Sequence, residues 1–293
     1  MIFSIENELV SIKIKQTGAE LCSYFDKTTN REIIWQADPN HWKRHAPILF
    51  PIVGKVENNE YRIADKEYSL NQHGFARDQS FNLINKSDNS ILLEIEANDQ
   101  LKKIYPFEFK LQVEYILNSK ELQVLYRVMN SSSTEIYFCI GAHPGFNCPF
   151  DSVSNFNEYR LKFEYHEEAD RILLTPEGFR NGKRANKWLN SEELNLKEDL
   201  FNEDALIFDE LKSSFLLIES DKSTESVKVG WHNYPHMGIW KPLNNAPFIC
   251  IEPWNGMADQ AGLLNDFRDK FGVINLSSDE SFECYYTIEN IVK

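Results

Sequence analysis

Positive charge is in short supply in this chain: 31 Lys and Arg stand against 45 Asp and Glu, a formal net charge of −14. A polyanion meets repulsion there rather than the basic patch that phosphate contacts need, so no nucleic-acid partner is expected. Long apolar runs are missing too. None approaches the roughly 20 residues that cross a bilayer, which excludes a membrane span or anchor of helical type. The N-terminus, MIFSIENELV, lacks a leading basic segment and is broken by Glu6 and Glu8 before a signal-peptide core develops, so export is not expected. The five cysteines, Cys22, Cys139, Cys148, Cys250 and Cys284, are odd in number, scattered and without a CxxC pair. That argues against a disulfide framework and a zinc knuckle and fits a reducing, cytoplasmic setting. No Pro/Gly/Ser-rich linker, low-complexity tract or fixed-period repeat interrupts the chain, so residues 1–293 read as one domain.

What is present is apolar surface in period two. The chain is 42% hydrophobic and 13% aromatic, enough for a substantial core. Alternation is clearest over Leu9 to Lys15, Phe109 to Leu117, Leu122 to Met129 and Phe282 to Ile288, which predicts half-buried strands. Shorter strands are expected at Ile91 to Ile95, Arg160 to Phe163, Arg171 to Leu174, Phe215 to Glu219, Ser226 to Trp231, Phe248 to Ile251 and Val273 to Leu276. Two hairpins are expected, one across Asn118-Ser119-Lys120 and one across Asp65-Lys66. Helical spacing is sparse. Its best window is Asp259 to Phe271, where Leu263, Leu264, Phe267 and Phe271 recur at three- and four-residue steps. The pattern predicts an all-β, antiparallel sandwich with one or two short helices.

Four polar islands sit among Gly, Pro and aromatic residues at predicted strand ends, where a scaffold commonly presents functional groups. The first, residues 44–55, carries Arg44 and Lys55, which are hydrogen-bond donors to hydroxyls or ordinary surface cations. The second is Asn71-Gln72-His73-Gly74-Phe75-Ala76-Arg77 and the third Gly141-Ala142-His143-Pro144-Gly145-Phe146-Asn147. A lone histidine beside Gly or Pro is usually structural, but two in equivalent settings, each followed shortly by phenylalanine, suggest one shared polar cleft. The fourth, residues 250–259, puts Glu252 at the end of an apolar strand beside Pro253 and Trp254. Partial shielding of that kind is how a glutamate is lifted toward the working range of a general base.

In this order the islands resemble the aldose 1-epimerase (galactose mutarotase-like) family, in its LacX-like bacterial branch, over nearly the whole chain. Gly54-Lys55-Val56-Glu57-Asn58 is similar to the family's Gly-Arg-Val-x-Asn motif, and His73-Gly74 to its first His-Gly. Ala142-His143-Pro144-Gly145-Phe146-Asn147 resembles the motif that carries the general acid, and Glu252 matches the late glutamate that serves as general base. The resemblance implies a large antiparallel β-sandwich (supersandwich) and a cofactor-independent, metal-free isomerase acting on a small sugar. It implies Glu252, His143 and His73 as catalytic residues, with Arg44, Lys55 and a sugar-binding aspartate as substrate contacts. Asp204, in Asp204-Ala205-Leu206-Ile207-Phe208, fits that aspartate better than Asp209 does. Two departures stand out. Lys55 replaces an arginine and so loses a bidentate donor, and Pro144 follows the second histidine.

The implied chemistry is interconversion of the α and β anomers of an aldohexose. Three alternatives stay open on sequence. A hexose-6-phosphate mutarotase would gather Arg44, Lys55 and Arg77 around a phosphate. A non-catalytic carbohydrate-binding protein would keep Trp and Arg contacts without a matched acid and base. A glycoside hydrolase would need a second carboxylate, such as Asp204 or Asp259. Trp240 and Trp254 are stacking candidates for a pyranose face, though strand tryptophans are more often core.

Overall fold

The computed structural model describes residues 1–151, 154–263 and 266–292. Strands dominate, every paired strand is antiparallel, and the helical segments among the described residues are short 3₁₀ turns. None of these helices is long and apolar enough to cross a membrane.

The alternating stretches form strands because one face of each can be buried. Phe109–Asn118 alternates between buried and half-buried residues, and pairs in register with Glu121–Asn130 from Phe109↔Asn130 to Asn118↔Glu121. Ser119 at the tip of this hairpin takes a φ of 55°, as tight two-residue turns require. The second expected hairpin forms between Glu60–Ile63 and Lys66–Ser69, but it turns across Ala64-Asp65, one residue earlier than expected, with Lys66 already paired to Ile63. A large sheet runs through Ile48–Leu49, Ile140–Ala142, Phe248–Asn255, His236–Trp240, Leu206–Asp209 and Arg160–Leu174. It continues through Phe215–Glu219, Glu225–His232, Ser281–Val292, Glu121–Asn130, Phe109–Asn118, Ser90–Glu96 and Asn82–Lys86. A second, four-stranded sheet holds Ile2–Glu6, Val10–Lys15, Leu21–Asp26 and Arg31–Glu32. Its Ile12, Ile14, Leu21 and Tyr24 share one core cluster with Leu93, Val113, Tyr115 and Val124 of the large sheet.

Three local expectations are corrected. Residues 259–271 are not a helix: Arg180 N–H donates to the Asp259 carbonyl and Ala261 N–H to that of Arg180, so this backbone pairs across rather than coiling. Gly262 has a φ of +75°, Leu263 and Phe271 are 45% and 39% exposed, and among the described residues of this window only Phe267–Asp269 makes a turn of 3₁₀ helix. Leu264 lies outside the described residues. The short strands predicted at Arg160 to Phe163 and Arg171 to Leu174 are one strand, Arg160–Leu174, whose bulges interrupt the alternation. The strand from Phe248 runs on to Asn255 with every residue buried, so Glu252 lies within it rather than at its end.

Pro253 is tolerated there for an identifiable reason. Ile251, two residues earlier and facing the same side, donates its N–H to Pro144 O. Pro253 therefore turns its missing donor toward the gap between Ile140–Ala142 and Gly145–Asn147, where no described strand needs it. That gap is where the chain carries His143 past Glu252.

Phe50, within the first island, lies at the centre of a ring cluster with Phe75, Tyr105, Phe109 and Phe138, at centroid separations of 5.2 to 5.9 Å. Phe75 and Ala76 both donate N–H groups to Phe50 O. The first two islands are thereby fixed to each other and to the core.

Candidate active site

A cavity of about 340 Å³ opens where the islands meet. Its wall includes Trp42, Lys55, Gln72, His73, Arg77, His143, Asp204, Trp240, Glu252 and Trp254. Both histidines, the glutamate, Lys55 and Asp204 thus share one wall, and Arg44 does not belong to it. The Arg44 guanidinium is held by Asp78 Oδ1 at 2.5 Å and donates to Arg77 O at 3.2 Å. Asp209, the less favoured aspartate, is bonded by Arg184 through both carboxylate oxygens.

Glu252 sits on a strand buried on both faces. Its Oε2 is 3.1 Å from Nε2 of His143, without a hydrogen-bond alignment to any partner among the described residues. Burial pushes its carboxyl well above the usual carboxylate range. The charge of Asp204 adds to the rise, and the Trp254 indole opposes it. Trp254 fits behind the site because two cross-strand neighbours lack side chains. A Cβ at Gly238 would lie 2.5 Å from the indole and one at Gly141 2.7 Å, so any substitution displaces the ring.

His143 stacks on Trp42 with ring centroids 4.8 Å apart, and meets Trp240 and His73 edge-on, each at 5.7 Å. Enclosure by rings makes an imidazolium costly, and burial drives the His143 pKa down to about 3, with Arg77 adding to the fall. Burial therefore disfavours the charged form of both the glutamate and the histidine. Such a pair titrates as a unit.

His73 has a different task. Its backbone N–H donates to Gly54 O at 2.8 Å, and Gly54 N–H donates back to the ring Nδ1 at 3.1 Å. Gly54 needs its φ of +70° and its bare Cα, because a Cβ would lie 2.7 Å from Ala258. With Nδ1 accepting, the neutral imidazole carries its proton on Nε2; Gln72 Nε2 lies 3.2 Å from that nitrogen, so the side-chain amide must rotate to present its oxygen if it is to accept the proton. Burial, then His143, Arg77 and Lys55, hold His73 well below the ordinary histidine range. A neutral ring so held can donate only through Nε2.

Lys55 Nζ donates to Glu177 O at 2.5 Å, and Asp259 N–H ties Lys55 O to the loop after the Glu252 strand at 2.9 Å. Asp259 itself faces away, toward the buried Lys270. Asp204 adopts a φ of 67° and receives its own neighbour Ala205 N–H on Oδ1 at 2.8 Å. Arg77 donates to Gln72 O at 2.7 Å, and its buried Nε has no hydrogen-bond partner among the described residues. Trp42 carries no sequence signal: it lies in an irregular segment without periodicity, and only its ring contacts reveal it.

The raised Glu252 pKa has a consequence for stability. A group whose folded pKa exceeds its unfolded value contributes stability that is complete below the unfolded pKa and is lost as pH rises through the folded one. Glu252→Gln, which cannot ionise, should therefore melt higher than the parent protein near pH 8 and show no gain near pH 4. Each tenfold difference in proton affinity between the folded and unfolded carboxyl corresponds to about 1.4 kcal/mol. Equal melting differences at the two pH values would contradict the assigned burial cost.

Residues 1–266 match the family model described as aldose 1-epimerase. The chain is 34% identical over 279 residues to the chromosomal LacX protein of Lactococcus lactis subsp. lactis, covering 92% of this chain and 93% of that one. Among solved structures, a galactose mutarotase-like protein from Lactobacillus casei superposes with a TM-score of 0.94 at 34% identity, over 99% of this chain and 100% of that chain. A galactose mutarotase related enzyme from Lactobacillus acidophilus gives 0.93 at 34% identity, with both chains fully covered. The chain belongs to the aldose 1-epimerase family.

Proposed function

We propose that the protein is an aldose 1-epimerase that interconverts the α and β anomers of an aldohexose by acid–base ring opening and reclosure. The observation that carries this reading is the 3.1 Å approach of His143 Nε2 to Glu252 Oε2 on the wall of a cavity large enough for a small sugar. Anomerisation removes the proton from the C1 hydroxyl and delivers one to the ring oxygen. The C1 to ring-oxygen bond breaks as C1 becomes an aldehyde. Rotation about C1–C2 presents the other face, the ring oxygen attacks C1, and the two protons return. One base and one acid within reach of adjacent oxygens satisfy the whole cycle, because only protons are exchanged with the protein.

Glu252 takes the C1 proton and His143 gives one to the ring oxygen. Burial disfavours the ion pair of carboxylate and imidazolium. Sugar hydroxyls entering the cavity supply the hydrogen bonds that both groups lack, so a proton passes from Glu252 to His143 and each group becomes competent. His73 presents Nε2–H to the same region, Asp204 and Lys55 face sugar hydroxyls, and Trp42 and Trp240 offer faces and edges to the apolar side of the ring. A non-catalytic lectin has no use for a desolvated acid–base pair. Hydrolysis separates itself by product: an aryl glycoside incubated with the protein should release no phenol, and release would replace this reading with a hydrolase.

The phosphate alternative draws on Lys55 and Arg77, both on the cavity wall, but the third cation, Arg44, is occupied by Asp78 outside it. We therefore favour a free aldose. Arg77→Ala should raise KM for a hexose and its 6-phosphate by similar factors, whereas a rise confined to the phosphorylated sugar would favour phosphate, because a charge-assisted contact would have been lost.

A further inference from the structure

Cys250 has no part in the proton transfers, yet it lies two residues before Glu252 on the same strand, and successive odd or even positions of a strand share a face. The ligating atoms of His143, Cys250 and Glu252 all fall within 4.8 Å of one another, and all three residues are buried. Glu252 Oε2, already 3.1 Å from the imidazole, has no hydrogen-bond partner among the described residues, and the thiol is fully buried. The cavity leaves the imidazole and carboxylate approachable from one side.

We propose that His143, Cys250 and Glu252 form a site for a thiophilic divalent cation, zinc above all, and that its occupation switches the enzyme off. A nitrogen, a thiolate sulfur and a carboxylate oxygen are the donors zinc prefers, with bonds of about 2.0 to 2.3 Å. A tetrahedral set places those donors about 3.6 Å apart, so a contraction of about 1 Å closes the site, within the reach of side-chain rotation. Three protein ligands leave the fourth position to water or a sugar hydroxyl from the cavity. Binding releases the thiol proton to solvent and engages the base and the acid together. Without Cys250 the remaining imidazole and carboxylate form a two-ligand site, which holds zinc weakly.

The catalytic half of this inference rests on the mutarotase reading, and the binding half does not. Protein stripped with EDTA and freed of chelator is titrated with cobalt(II), whose thiolate charge-transfer absorption reports a bound cysteine. The expected result is a saturable charge-transfer band that zinc displaces. It should be lost in Cys250→Ser and Cys250→Ala, each shown folded by its circular dichroism. Mutarotation by the parent protein should be stopped by micromolar zinc and restored by EDTA, while both cysteine variants keep the basal rate and resist zinc. Absence of the band, or a band and inhibition that persist in both variants, overturns the site. A band without inhibition overturns the switch. A cobalt band in a protein with no mutarotase activity at all removes the proposed reaction and leaves the metal site standing.

Discussion

Glu252→Gln is expected to lower kcat by about 10²- to 10⁴-fold, the contribution of one positioned general base, while KM changes little. The amide keeps the size and shape of the carboxyl and removes only its ability to take the C1 proton. Glutamine also fits the dry strand and cannot ionise, so the fold should be preserved and the variant should be the more stable protein above the acid range. Loss of activity together with a gain in stability is the signature of a group held in an unfavourable setting for its chemistry. A near-normal kcat would remove Glu252 from the mechanism, and a loss expressed wholly in KM would make it a binding residue.

His143→Asn should fall by a similar factor in kcat, and His73→Asn by less. The difference follows from what holds each ring. His143 Nε2 faces Glu252, and His143 Nδ1 has no hydrogen-bond partner among the described residues, so the ring can gain and lose a proton as the pair exchanges it. His73 is locked through Nδ1 to Gly54 N–H and offers only a neutral N–H, a contribution to positioning and charge stabilisation. Steady-state rates for the two variants on one aldose decide the matter. The reverse ranking would exchange the roles of the two histidines.

Much of this site is legible in the sequence because its residues stand in short, locally unusual strings. Histidine beside Gly or Pro and glutamate inside an apolar run are visible without knowing what they touch. The strand class is legible for the same reason: Phe109–Asn118 and Ser281–Val292 bury alternate residues and say so in their composition. What fails to show is decided by partners distant in sequence. Arg180–Asn195 is a sixteen-residue strand without an alternating signature, because most of its side chains are polar and exposed; its strand partner is the bulged Arg160–Leu174. The apolar spacing of 259–271 is that of a helix, but backbone pairing with Arg180 claims the Asp259 carbonyl and the Ala261 N–H. Arg44 and Lys55 look equivalent within one island, and only the position of Asp78 takes Arg44 out of the cavity. Trp42 joins the site through ring packing, which no motif records.

The most direct test of the proposed reaction is the approach to anomeric equilibrium of a freshly dissolved α-aldohexose, followed by polarimetry or proton NMR with EDTA-treated protein. An acid–base pair of Glu252 and His143 predicts a rate above the spontaneous one that rises in proportion to protein concentration, reaches the same final α/β ratio, and disappears with Glu252→Gln. Sugars that bind, as shown by titration, but relax at the spontaneous rate would contradict it.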